Sequence, residues 1–239
     1  MKRLSLQNKL TICILLTSTV LVALSLYLLN RAWQEHRTAD AIYRMSNGAN
    51  YFIFTMKDLT FERGRTNVVL SSGKPVSAAD RSFIDTRRKS VDDNMNKGLE
   101  WLGDVDQGLL VELNSAYINL KRLRARADEV INKERDKVGA DYQIRDEWFN
   151  QSTALIHKII DTVETIAKRQ HLPGSFNNYY RYLIFALEFR DSIGVSGSIM
   201  TAAVSGGKKI TPAEYRSISG NLTLADYLWS KMEVQAAVI

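Results

Sequence analysis

The sequence predicts an all-α protein, and three observations carry that expectation. Only three prolines and thirteen glycines occur in 239 residues, so few positions interrupt a helix. Long stretches are filled by Leu, Ala, Arg, Lys and Glu, all good helix formers. Within them apolar residues recur at alternating steps of three and four, the period of a packed helix face. With 45% hydrophobic and 24% charged residues the composition is that of an ordinary folded protein. The expected architecture is one long antiparallel helical bundle, or two stacked four-helix bundles, preceded by a transmembrane helix.

The first element is the membrane segment. No charged residue occurs in the twenty positions from Leu10 to Leu29, and at about 1.5 Å per residue that run crosses the roughly 30 Å hydrocarbon core of a bilayer. Lys2, Arg3 and Lys9 precede it, which assigns residues 1–9 to the cytoplasm and exports the chain beyond the anchor. A cleaved signal peptide would use Ala23 and Ser25 as its small-residue site. That site lies inside the apolar run, with Leu26 to Leu29 still to come, whereas a cleavable core is usually about 7 to 15 residues long. Residues 10–30 are therefore expected to anchor the chain in a bacterial inner membrane, with residues 31–239 in the periplasm.

The formal charge of +6 does not imply nucleic acid. Three of the 32 basic residues sit before the anchor, and the other 29 face 26 acids. The basic stretch from Lys121 to Lys137 is interleaved with Asp128, Glu129, Glu134 and Asp136, the pattern of a solvated helix face. Cys13, the single cysteine, lies in the anchor, so no internal disulfide is available.

An apolar seam continues past the membrane through Ile42, Met45, Ala49, Phe52, Met56 and Leu59. The first helix therefore extends to about Ser72, where Gly73 and Pro75 end it. Ser77 with Asp80 three residues on marks the start of a second helix, expected to end near Leu102 before Gly103. Leu109, Leu110, Leu113, Tyr117, Leu120, Leu123 and Val130 mark a third, and Trp148, Leu155, Ile159, Val163 and Ile166 a fourth. Pro173 and Gly174 precede a fifth, from about Phe176 to Ser205.

The hairpin tip VVLSSGKPVSAAD at residues 68–80 matches AAVSGGKKITPAE at residues 202–214 without a gap. Each ends a helix with glycine and restarts one at a hydroxyl residue, Ser77 or Thr211. Either an internal repeat of a helical hairpin or convergent turn chemistry produces this. Six alternating helices leave the chain heading back toward the membrane. About 42 residues lead from the membrane to the first tip and 28 follow the second, so the last helix stops roughly 20 Å short. A second transmembrane helix and a cytoplasmic output module are expected beyond residue 239.

Extending the first seam reaches Arg63, Thr66 and Leu70, which places a guanidinium in the helical core. Such a group needs a carboxylate or a bound anion. Glu62, Arg63, Gly64 and Arg65 form the local string, and Gly64 costs a helix about 1 kcal/mol relative to alanine unless something must approach closely. In the fifth helix the seam Leu183, Ala186, Arg190, Ile193 and Gly197 makes Arg190 core-facing, in competition with a seam through Phe185 and Phe189. Arg63 paired with Glu188, or Arg190 with Glu62, would be a ligand-free solution. The candidate ligand-binding residues are Arg63, Arg65, Arg190, Thr66 and Glu62.

FERGR, followed by an apolar run, SSG and a second helix carrying Arg81 and Arg87, resembles the nitrate- and nitrite-sensing helical domain. That family occurs outside the membrane in bacterial chemoreceptors, histidine kinases and cyclic-dinucleotide enzymes. The resemblance implies a small anion held by arginines of facing helices, with Arg63 first, then Arg65 and Arg190. Asp191 beside Arg190 departs from it, because an acid there opposes an anion. His36, His157 and His171 are scattered, no metal or cofactor is expected, and no catalytic motif occurs. Trp148, Phe149 and the Tyr179, Tyr180, Tyr182 group read as packing residues. The expected function is a ligand-binding input domain of a signalling receptor, a homodimer through its long anchored helices. A membrane-tethered scaffold that docks proteins is the alternative.

Overall fold

The structure, a computed structural model, describes residues 6–135, 140–169 and 174–237. It contains six α-helices: α1 (Leu6–Ser72), α2 (Ala78–Val105), α3 (Gln107–Ile131), α4 (Ala140–Arg169), α5 (Gly174–Gly206) and α6 (Pro212–Ala236). The all-α expectation and the order of helices stand. His171, Pro173, Asp136 and Lys137 lie outside the described residues.

Several boundaries differ from those expected from the sequence. Helix α2 runs through Gly103 to Val105 and stops at Asp106, whose extended backbone serves two helices. Its N–H closes α2 on Leu102, and its side chain caps α3 by accepting from the N–H of Leu109. An aspartate between two helices does the work expected of the glycine. Helix α4 begins at Ala140, eight residues before the first seam residue, Trp148.

Residues 1–44 and 45–239 form two separate units. In the first, Leu10, Leu15, Val20, Leu24 and Leu29 are exposed. This part of α1 is long and apolar enough to cross a membrane. The hydroxyls of Thr11, Thr17 and Thr19 donate back to the carbonyls of Gln7, Cys13 and Leu15, which satisfies them without water. Ion pairs one turn apart, Arg31 with Glu35 and Arg44 with Asp40, mark the polar end.

In the second unit α1 is the central helix. Met45, Ala49, Phe52, Met56, Leu59 and Leu70 are all buried, as the seam predicts. Gly98 lets α2 close on α1, because a Cβ there would stand 2.6 Å from the Phe52 ring. Phe52 meets Trp101 edge-on at 6.0 Å. Helix α6 packs on α5, where Phe189 meets Trp229.

The two hairpin tips share a backbone. Gly73 and Gly207 both have positive φ, 73° and 62°, and Ser77 and Thr211 both cap the following helix. Glu214 completes a capping box with the Thr211 backbone N–H, whereas Asp80 instead accepts from the Ser77 hydroxyl. The segment after α3 closes the first tip. Arg135 donates to the carbonyls of Val69, Lys74, Val130 and Lys133, setting a cation at the carbonyl ends of α1 and α3.

Candidate functional site

Neighbouring residues of α1 point their charges into different interfaces. Asp58 and Glu62 face α2 and α3. Asp58 accepts from Arg87 at 2.7 Å and from Ser90 at 2.6 Å. Glu62, fully buried, holds Arg88 at 2.8 Å and Arg124 at 2.6 and 2.9 Å. Arg124 continues to Asp92, and Arg88 to Asp128, which also holds Arg81. This corrects two expectations. The basic stretch of α3 is not simply a solvated face, since Arg124 is 5% exposed and binds Glu62. Glu62 is engaged in this network, away from Arg190.

Arg63 turns toward α4 and α5 and is fully buried, as its place on the seam requires. Its Nη2 donates to Asp191 Oδ1 at 2.8 Å and its Nη1 to Thr153 Oγ1 at 2.9 Å. The guanidinium lies 5.2 Å from the centre of the Phe149 ring, and Trp148 Nε1 donates to the Arg63 carbonyl at 3.2 Å. Arg63 Nε and the buried Thr66 hydroxyl make no hydrogen bond. The carboxylate facing Arg63 is therefore Asp191 rather than Glu188.

That difference comes from helix register. The buried face of α5 is Ile184, Asp191, Val195, Ser198 and Ala202, one position on from the seam through Arg190. Asp191 is also shared: its Oδ2 lies 3.4 Å from His157 Nε2. Burial pushes the Asp191 carboxyl up, but His157 and Arg63 outweigh it and hold the group below the usual carboxylate range. The same contact raises His157 above its ordinary value.

Arg65 and Arg190 border the same groove beside α1. A groove of about 470 Å³ between α1, α2 and α5 is lined by both, with Phe61, Phe83, Val68 and Ile193 among its walls and Gly64, Gly194 and Gly197 along its length. At Gly64 a Cβ would stand 3.4 Å from Ser198 Oγ, an ordinary contact, so α5 lies against α1 there without demanding the glycine. At Gly194 a Cβ would stand 3.2 Å from Thr60 Cγ2 and 3.5 Å from Arg63 Nη2, so the α5 backbone passes close to the buried arginine at the groove wall.

Cations and rings alternate along this surface. Arg190 lies over Phe61 at 4.9 Å, Arg87 over Phe61 at 4.9 Å and Phe83 at 5.0 Å, and Arg65 over Phe83 at 5.1 Å. Their charges are not equally compensated. Arg65 pairs with Asp80 and Arg87 with Asp58. Arg190 donates only to the Lys57 carbonyl, at 3.1 Å, and no carboxylate lies within ion-pair distance of it among the described residues. Burial pulls its guanidinium below the ordinary arginine value, offset only in part by Asp58 and Asp191, which are each ion-paired to another arginine.

Of the five residues singled out from the sequence, two share the groove, Arg63 lies behind it and Thr66 is buried without a partner, while Glu62 serves the α2–α3 network. Phe61, Phe83, Asp191, Thr153 and His157 were missed. Phe61 could have been found from FERGR itself, one turn from Arg65, but the pairing of His157 with Asp191 across two helices leaves no local spacing to read. Among the described residues no group of three or more His, Cys, Asp or Glu is placed to hold a metal ion.

Comparison with known families gives a match over residues 56–237 to the family described as nitrate and nitrite sensing, and it covers both α1 arginines, the groove and α6. No curated protein and no solved structure matches the chain.

Proposed function

Because this chain belongs to the nitrate- and nitrite-sensing family, we propose that it is the input domain of a membrane-anchored bacterial receptor that binds a small monoanion in the α1–α5 groove. Residues 10–30 span the membrane, residues 1–9 lie in the cytoplasm and residues 31–239 face the periplasm as a homodimer. The matched family senses rather than catalyses. Arg190 is the primary anion contact and Arg65 the second. Arg63 acts from behind through Asp191, which packs in α5 directly beside Arg190.

The observation that carries this reading is the state of Arg190: half-buried, stacked on Phe61 and without an ion pair of its own among the described residues. An anion there supplies the missing counter-charge, and it also pulls on α5. The α1–α2–α3 side is fixed by several directional ion pairs at Asp58 and Glu62, whereas among the described residues α1 and α5 share one ion pair, Arg63–Asp191, beside a wall of Gly64, Gly194, Gly197 and Ser198. Binding energy is therefore best spent on moving α5 against α1. A tenfold difference in affinity between two helix arrangements supplies about 1.4 kcal/mol, enough to bias an output.

One observation favours a second reading. The Arg63–Asp191 pair satisfies the core guanidinium internally, as a ligand-free tethered scaffold that docks proteins would require. Thermal unfolding of the full chain in nanodiscs separates the two. Nitrate or nitrite raises the melting temperature of a sensor at constant ionic strength by more in wild type than in Arg190→Ala, whereas the general stabilisation by sulfate is equal in both. A scaffold shows only the general salt effect, so its response to each salt is the same in wild type and Arg190→Ala, whereas a sensor loses the nitrate-specific shift in the variant.

A further inference from the structure

We propose that the α1–α5 groove accepts an organic monocarboxylate with an aromatic body, a larger ligand than nitrate. This rests on the reading of the groove as an anion site and specifies its occupant.

Charge comes first. The groove is flanked by three guanidinium groups, but Asp80 neutralises Arg65 and Asp58 neutralises Arg87. Arg190 is left without an ion pair of its own, since Asp58 and Asp191 act on it only from beyond ion-pair distance and are paired to Arg87 and Arg63. A single uncompensated cation in a partly desolvated site matches one negative charge; a dicarboxylate or a phosphate would bring a second with nothing to meet it. No Asp or Glu lines the groove, so an amino-acid zwitterion would find hydroxyl acceptors but no counter-charge for its ammonium.

Size comes second. The groove measures about 470 Å³, within the roughly 300–1,000 Å³ of pockets that take organic molecules. Nitrate, with four heavy atoms, takes only on the order of twice a water's ~30 Å³ share of the liquid. Nitrate at Arg190 would leave most of the groove to water lying against Phe61, Phe83, Val68 and Ile193, whose apolar surface favours an apolar occupant.

Chemistry of the walls comes third. The faces of Phe61 and Phe83 are stacked by guanidinium groups. These rings and cations favour a flat π-system, while the N–H edge of Arg190 takes a carboxylate in the planar fork geometry that suits it. Gly197 contributes to the same design. A Cβ there would meet nothing within 4 Å, so its place is open space that a ligand can use and a side chain could fill.

The test is titration calorimetry on the full chain in nanodiscs with sodium benzoate, acetate, nitrate and the neutral analogue benzyl alcohol. Benzoate is expected to bind at least tenfold tighter than acetate or nitrate, with no heat from benzyl alcohol. Arg190→Gln should weaken benzoate at least tenfold. Gly197→Leu, a change that favours the helix and fills the groove, should abolish benzoate binding without lowering the melting temperature. Nitrate binding without benzoate binding overturns this inference and leaves the anion-sensor reading standing. Neither ligand binding overturns both. Benzoate binding that is unchanged in both variants places it elsewhere and equally overturns the assignment.

Discussion

Removing the carboxylate from the buried pair is the sharpest perturbation available in the core. Asp191→Ala leaves Arg63, fully buried and already without a partner at Nε, with only the Thr153 hydroxyl for its guanidinium. Breaking a buried ion pair from one side typically costs about 3–5 kcal/mol, since the surviving charge stays in the interior uncompensated. His157 would lose its counter-charge as well. For a domain of this size 1 kcal/mol moves the melting temperature by about 2–4 °C, so a loss on the order of 10 °C is expected in thermal unfolding of the full chain in nanodiscs. Two companions make the cause identifiable. The double variant Arg63→Met with Asp191→Leu should recover most of the loss, because an apolar pair of similar volume removes both desolvation penalties. Nitrate should stabilise Asp191→Ala more than wild type, because it can replace the lost carboxylate beside Arg63. If Asp191→Ala melts within about 1 °C of wild type, or the double variant is no more stable than the single one, the pair does not hold α1 to α5 and the argument from burial fails.

Packing and titration carry further consequences. Gly98→Ala puts a Cβ 2.6 Å from the Phe52 ring, and overpacking of this kind costs about 1–3 kcal/mol, so urea unfolding should shift to lower midpoint with an unchanged slope. His157 gains its carboxylate partner only on folding, which raises its pKa. The groups facing it are Asp191 and Glu188 on α5, Asp161 on α4 and Arg63 on α1, while α6 offers the apolar Leu224. A raised histidine pKa stabilises fully below the ordinary value of about 6.5 and is lost as pH rises through the folded value. The stability advantage of wild type over His157→Gln should therefore be largest in mild acid and disappear in mild base; an advantage that grows with pH would refute the pairing.

Much of this arrangement was legible in the sequence because it is local. Steps of three and four along α1 placed Met45 through Leu70 in the core and Arg63 among them, and burial follows that spacing position by position. The tips were legible for the same reason: a glycine with positive φ and a hydroxyl cap are chemistry of single residues. What escaped was pairing across helices. Two seams along α5 are nearly equal in apolar content, and the observed register is one residue away from the seam through Arg190, which exchanges the roles of Arg190 and Asp191. The apparent obstacle to an anion, an acid beside Arg190, is instead the counter-charge of Arg63 and leaves Arg190 as the cation without one. Arg135 and Arg124 escaped likewise, because the carbonyls and carboxylates they bind lie on elements far away in sequence.

The most direct measurement is titration of the full chain in nanodiscs with a monoanion, wild type against Arg190→Ala, at fixed ionic strength. A sensor that reads a monoanion in the α1–α5 groove gives saturable binding that falls at least tenfold in the variant, while melting temperature stays within about 2 °C of wild type. Saturable binding that is equal in the two proteins, or no binding in either, contradicts the claim that Arg190 waits there for its counter-charge.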